Sequence, residues 1–262
     1  EKQVSASLNA DLSIGRLGGS ILRTLALTDV VLTQEGDTLA AFNGFYAEFD
    51  ILALFQRELQ FELVQLDSPR IHIKQAADST WNFAALAPQS ADTAATDTAK
   101  RRERGGLRIE LQNIILQDAL ITIDALQPAI PRRIENLDAT ANLRLGRGGT
   151  AVDLENLSFS AREPDLDLQH LAFQFARQDS LITLKNFELV TPQNQLQANL
   201  QRSSSRLDSA NARAELADLQ LLHLALPTLA IRGAPKIDLA LDLQDNILKL
   251  NFDVRNRNKL LT

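Results

Sequence analysis

From residue 107 to 145 the chain reads LRIELQNIILQDALITIDALQPAIPRRIENLDATANLRL, and apolar and polar residues take turns along it. Leu107, Ile109 and Leu111 are followed by Ile121 and Ile123, then by Leu137, Ala139, Ala141, Leu143 and Leu145. A period of two sends successive side chains to opposite faces of an extended backbone. Each run is therefore predicted to be a strand with one apolar and one wet face. Arg108, Glu110, Gln112, Asp138, Thr140, Asn142 and Arg144 fall on the wet side.

The same alternation recurs along most of the chain. Val4 to Ile14 predicts a first strand, and the glycines from Gly15 to Gly19 predict a break after it. Leu25–Thr33 follows, with a phase slip at Asp29 that predicts a bulge. Leu39–Phe49, Leu59–Leu66 and Ile71–Ile73 come next. Leu107–Leu116 and Ala119–Ile123 read as a strand pair. Val152–Ala161, Leu166–Phe175, Leu181–Val190, Leu196–Leu200 and Ala210–Leu216 continue the series, and Ile237–Leu243 with Ile247–Val254 predicts a closing hairpin. Helical spacing is confined to short stretches. Leu54 and Phe55 in ILALF, and Trp81, Phe83 and Leu86 in WNFAAL, are expected to cap or gate the sheet's end; Leu219–Leu226 is a further interruption. The fold expected from the alternation is mainly β: a long, one-sided antiparallel sheet with a few short capping helices.

Composition narrows the function. The 262 residues contain no Cys, which removes disulfides, thiolate metal sites and cysteine nucleophiles. They contain no Met either, so the chain is expected to be an excerpt or a processed product. A net charge of −6 argues against nucleic acid as partner. The one dense basic run, Lys100–Arg104, lies in a polar stretch from 88 to 106 that reads as a flexible linker. It separates an N-terminal unit, 1–87, from a continuing set of repeats, 107–262. No run is long enough for a membrane-spanning helix, so any anchor is expected outside this sequence. One Trp and one Tyr cannot form the aromatic girdles of a transmembrane barrel.

No catalytic or metal constellation is visible. His72, His170 and His223 stand apart among apolar neighbours, in no paired ligand spacing. Asp165 and Asp167 share a strand face and read as solvated. Ser203–Ser205 is a loop signal, and the glycines around 146–149 lack the lysine and helix of a phosphate-binding loop. No enzyme, cofactor or metal is expected.

Several motifs resemble AsmA/TamB-like proteins. The likeness runs from Gly15, Gly18-Gly19 and Leu22 through LALTDV (25–30), the ILALF turn after Asp50, and LVQLDSPRIHI (63–73), to WNFAAL (81–86). Asp78-Ser79-Thr80 replaces the usual Asp-Gly before the Trp. Beyond residue 87 it is more diffuse, carried by Leu107–Leu116, Ala119–Ile123, LVTPQNQL (189–196) and Leu219–Pro227.

Alternation alone also fits the core of a β-sandwich. Small inward residues such as Ala139, Ala141, Ala198, Ala210, Ala212 and Ala214 leave room beside the sheet, and with the resemblance they point to an open groove. The resemblance implies a long curled antiparallel sheet forming an elongated apolar groove, in a periplasmic protein of a Gram-negative bacterium, anchored in the inner membrane, that conducts phospholipids between the inner and outer membranes. On that reading Leu107, Ile109, Leu111, Ile121, Ile123, Leu137, Ala139, Ala141, Leu143, Leu145, Leu196, Ala198, Leu200, Leu239 and Leu241 line the acyl-chain path. The alternative it implies is a scaffold for outer-membrane protein assembly, offering strand edges and working with an outer-membrane barrel partner.

Overall fold

The computed structural model describes residues 10–20, 22–34, 36–86, 108–127, 130–146, 148–203, 206–217, 236–244 and 247–255. Among them the protein is mainly β, with 15 strands in one mixed sheet. The chain divides into two compact units, Glu1–Gly148 with Phe159–Leu166, and Gly149–Ser158 with Asp167–Thr262. The expected boundary at 88–106 is therefore not where compactness divides the chain. That stretch, with the KRRER run, lies outside the described residues.

The first unit holds β1 (Asp11–Ser20), β2 (Thr24–Gln34), β3 (Asp37–Asp50), β4 (Glu58–Asp67), β5 (Arg70–Lys74), β6 (Arg108–Asp124) and β7 (Arg133–Gly146). Strands β4 and β5 occupy successive stretches of one slot between β3 and β6. Ser68, at φ 46°, and the fully buried Pro69 divide them. The backbone stays tied there: Ser68 N–H donates to Gln117 O (2.9 Å), and Leu120 N–H donates to Pro69 O (2.8 Å).

β6 runs parallel to both β4 and β5, from Glu58 opposite Arg108 to Lys74 opposite Asp124. The other pairs of the first unit run antiparallel, as expected, so the sheet is mixed. Parallel neighbours need a connection of a dozen or more residues, and the chain between Lys74 and Arg108 has that length. The pairing also ties β6 to the first unit.

Two further expectations change in this unit. The glycines do not end the first strand: β1 continues through Gly15, Gly18 and Gly19 to Ser20. A Cβ at Gly15 would stand 2.8 Å from the Asp29 Cβ, so this glycine answers a close cross-strand approach, not a turn. Asp29 does adopt a left-handed φ of 52°, yet pairing stays in step on both of its sides, Leu27 with Leu17 and Val30 with Ile14. The neighbouring strands take the same three-residue step between apolar positions, from Leu17 to Ile14 and from Phe45 to Phe42. The slip is shared, so no unpaired residue is inserted at Asp29.

The stretches Leu107–Leu116 and Ala119–Ile123 are not two strands. From Arg108 onward they belong to the single strand β6. Against β7 it carries two bulges, between Leu111 and Ile114 and between Leu116 and Ala119, and β7 carries one in return between Ile134 and Leu137. Asn113 and Asp118 each take a left-handed φ, and their backbone N–H groups donate to the side chains of Asn142 (2.9 Å) and Asp138 (2.8 Å). Asn and Asp tolerate this conformation better than other side chains, and a side-chain acceptor replaces the lost ladder bond.

The second unit contains most of β8 (Gly149–Arg162), then β10 (His170–Gln178), β11 (Leu181–Val190), β12 (Asn194–Ser203), β13 (Arg206–Leu216), β14 (Lys236–Gln244) and β15 (Ile247–Arg255). These pair in antiparallel succession. The stretch expected as one strand, Leu166–Phe175, is split into β9 (Leu166–Leu168) and β10 at Gln169, whose N–H donates to Val190 O. β11 repeats the bulge of β6: Lys185 and Asn186 face one partner, and Asn186, at φ 52°, donates its N–H to Asn199 Oδ1 at 2.8 Å. The expected helical stretch Leu219–Leu226 lies outside the described residues.

Candidate functional site

Register sets the apolar residues beside one another, because directly paired positions present their side chains on the same face. In the first unit Ile109 pairs with Leu145 and Leu111 with Leu143. Across the first bulge Ile114 pairs with Ala141 and Leu116 with Ala139; across the second Ala119 pairs with Leu137. Ile121 then meets Ile134. On the other flank of β6 the same residues meet Leu59, Phe61, Val64 and Leu66 of β4, while Ile121 and Ile123 meet Ile71 and Ile73 of β5. The rows continue into β3, where Ala47 pairs with Val64 and Phe45 with Leu66.

The second unit carries comparable rows. One runs Val152, Phe175, Leu184, Leu200, Ala210, Leu243. Another joins Phe187, Ala198, Ala212 and Leu241, and a third joins Leu171, Leu189, Leu196 and Ala214. Leu239 pairs through its backbone with Ala214. The first row borders Arg177 and Arg202, which lie one step beyond Phe175 and Leu200 and pair with Ile182.

Apart from Ile123, which is buried, the large described side chains of these rows are half-buried, neither sealed nor free. The fully covered apolar positions are mostly small: Ala47, Ala53, Ala119, Ala125, Ala161 and Ala214, with Val30, Leu39, Ile123 and Leu168 among the larger ones. A close-packed second layer covers its large aliphatics first. In neither unit, among the described residues, are the rows so covered.

Charges collect on the opposite face. Gln60, Glu110 and Arg144 are in register across β4, β6 and β7. Arg144 Nη2 donates to Glu110 Oε1 at 3.1 Å, Gln112 Nε2 donates to the same oxygen, and Arg108 approaches at 3.7 Å. The Arg144 hydrogen bond, assisted by Gln112 and by both guanidinium charges, holds the Glu110 carboxyl below its usual value of 4.5 against an opposing desolvation effect. In the second unit Glu188, Gln197 and Arg213 form a similar polar row, with Gln197 Nε2 donating to Glu188 Oε1 at 3.3 Å.

Of the residues singled out from the sequence, Leu107 lies outside the described residues. Ile109, Leu111, Ile121, Ile123, Leu137, Ala139, Ala141, Leu143 and Leu145 are brought together in the first unit, and Leu196, Ala198, Leu200 and Leu241 in the second. The reading missed Ile114 and Leu116, which fall in the opposite parity, and the row residues of β4 and β11. For β6 and β11 the signal is in the sequence: a three-residue interval between apolar positions, containing Asn113, Asp118 or Asn186.

The end-capping residues behave differently from one another. Leu54 and Phe55 sit on a 3-10 helix, Ile51–Gln56, and are 48% and 86% exposed, so they project outward and do not plug the sheet. The cause is local: Ala53 is the residue this helix buries. Trp81 is half-buried and bridges to Gln75. The Asn82 side chain accepts from Lys74 N–H and Phe83 N–H and donates to His72 O, fastening the 3-10 helix Asn82–Leu86 to β5. Phe83 is half-buried; Leu86 contributes its backbone to the helix.

His72 Nε2 lies 2.9 Å from Asp124 Oδ2, and His170 Nδ1 lies 2.7 Å from Asn156 Oδ1. His223 is outside the described residues. Asp165 faces Arg162 at 3.8 Å. Among the described residues no three His, Asp or Glu side chains gather as metal ligands, and no helix is long and apolar enough to cross a membrane. No protein-family model, curated protein or solved structure matches the chain.

Proposed function

We propose that the chain is a segment of a phospholipid conduit, AsmA/TamB-like, that carries acyl chains along its apolar rows across the periplasm between inner and outer membranes. An anchor outside this sequence would hold it in the inner membrane. The observation that carries the reading is the state of the rows. They are apolar and continuous in register from strand to strand within each unit, carry alanines between the larger residues, and are half-open.

Each acyl CH₂ removed from water contributes about 0.8 kcal/mol. Repeated aliphatic positions offer many sites of similar depth, so a bound chain slides instead of lodging at one of them. Headgroups need no partner in the rows, since they stay at the wet margin. No step of this process makes or breaks a bond, so the function requires neither catalytic group nor cofactor.

Native mass spectrometry of the purified chain tests the reading. Phospholipid is expected to co-purify. Leu143→Glu is expected to lower the retained lipid by about tenfold or more, because a carboxylate beside the path must be desolvated or protonated. A folded wild-type chain that retains no lipid, or a Leu143→Glu chain that retains it undiminished, rejects the conduit.

A second reading, an outer-membrane protein assembly scaffold working with a barrel partner, draws on β15. This strand ends the sheet order, and Ile247, Leu248 and Leu250 on it are 63%, 59% and 57% exposed. An edge of this kind accepts an added strand. Photo-crosslinks from β15 to a substrate strand, with the Leu143→Glu chain fully functional, would favour it.

A further inference from the structure

Exposed apolar side chains are concentrated at one end of the first unit, and we propose that this end is a membrane-contacting tip that touches a phospholipid bilayer surface. Leu22 in the β1–β2 turn is 67% exposed; Leu52, Leu54 and Phe55 on the Ile51–Gln56 helix are 65%, 48% and 86% exposed. Scattered surface leucines need no explanation, but a cluster held outward by defined backbone geometry does.

The geometry here is defined. Asp50 caps the helix by accepting Leu52 N–H at 2.8 Å. Arg57 closes it in a left-handed conformation, φ 60°, with its N–H donating to Leu54 O at 3.0 Å. The β1–β2 turn is tied to the same end, since Phe49 N–H donates to Arg23 O at 2.9 Å. Both caps are satisfied, so the outward stance of Leu52 and Phe55 is built into the fold.

Charge favours a lipid surface as the occupant. The acidic groups around the tip are engaged: Asp50 in the cap, Glu62 with Arg23 at 3.9 Å, and Glu58 with Arg108 at 3.3 Å. The Arg57 guanidinium has no such partner among the described residues and stands two positions from Phe55. An aromatic and aliphatic cluster flanked by a free guanidinium matches the apolar boundary and phosphate layer of a bilayer.

Continuity with the rows is the second argument. A cavity of about 410 Å³ at this end is lined by Leu22, Phe49, Ile51 and Leu52 together with Arg23, Asp50 and Glu62. Phe49 is also a row residue, packed edge-on against Phe61 at 6.1 Å, which pairs with Leu111. A chain lifted from the bilayer at the tip therefore meets the rows directly. The inference rests on the conduit reading for that step only; bilayer contact is measured separately.

The test is flotation of the full chain with vesicles of phosphatidylethanolamine and phosphatidylglycerol, with retained lipid measured in parallel. Wild type is expected to float. Leu52→Ser with Phe55→Ser is expected to reduce the floated fraction by about tenfold or more, the scale for two apolar side chains losing their burial. Arg57→Asn keeps a residue that tolerates the left-handed conformation and removes the cation. It is expected to weaken binding about fivefold, on phosphatidylglycerol vesicles only, with the difference vanishing in high salt.

A wild-type chain that holds lipid but ignores vesicles overturns the tip and leaves the conduit standing. One that floats but holds no lipid overturns the conduit and leaves the tip. A double variant that floats like wild type overturns the tip, as does a crosslinker at residue 55 that captures a protein and no lipid.

Discussion

Along β12 in the second unit, Leu196, Ala198 and Leu200 follow at steady intervals of two. Along β6 in the first unit the intervals from Ile109 to Leu111, Ile114, Leu116, Ala119 and Ile121 run two, three, two, three, two. Each strand nevertheless keeps its apolar residues in the rows of its own unit. In β12 the pleat alone achieves this. In β6 each three-residue interval contains a left-handed Asn or Asp whose N–H is taken up by a side chain on β7. Irregular spacing can therefore mark a bulge within a strand instead of the end of one. β11 shows that the device is not confined to the first unit.

Covering varies from position to position within both units. Val30 of β2 is 2% exposed, whereas Leu250 of β15 is 57% exposed. Val30→Asp is expected to have the largest effect on stability, a loss of about 3–5 kcal/mol from burying an unpaired carboxylate. Leu250→Asp is expected to stay within about 0.5 kcal/mol. Urea midpoints measure both, and equal midpoints would erase the distinction.

The next effect concerns lipid. Leu200→Glu in the second unit is expected to lower retained lipid about tenfold, as Leu143→Glu does in the first, while the wet-face change Gln201→Glu leaves it unchanged. If Leu200→Glu retains lipid normally, lipid holding belongs to the first unit alone.

Smaller effects test the bulges. Asn113→Val and Asn186→Val place a β-branched residue in the left-handed region, at a cost of about 1–2 kcal/mol each by chemical denaturation. The corresponding glycine variants are expected to lose less than the valine variants. Equal losses for valine and glycine would mean that the left-handed backbone is not what these positions supply.

The smallest effect is electrostatic. The carboxyl of Glu110 is depressed in the folded chain, first by its hydrogen bond from Arg144. Its contribution to stability is complete above the ordinary value of 4.5 and is lost as pH falls through the depressed one. Arg144→Gln is expected to cost about 0.2–1 kcal/mol at neutral pH, because Arg144 is 58% exposed. It is also expected to move the acid limb of the Glu110 titration, followed by NMR, upward. An unmoved limb would show that Arg144 does not hold the proton off.

Strand content and the facing of most strands were legible in the sequence, because alternation reports the environment of each residue directly. The strand legible at Leu181–Val190 has the same bounds as β11. Ile114 and Leu116 were missed because parity was carried across Asn113, where the backbone resets it. Leu54 and Phe55 were read as a cap because size and apolarity suggest burial; the local cap geometry of Asp50 and Arg57 turns them outward instead.

The sequence by itself determined that this protein builds sheet with one apolar and one charged face, since the side-chain period of a strand is a property of the local backbone. Tertiary structure decided that β6 lies parallel to β4 and β5, that β1 runs on through its glycines, and that Asn113, Asp118 and Asn186 sit in bulges. Each of those outcomes depends on which strand lies alongside, and on whose side chain is there to accept a displaced N–H.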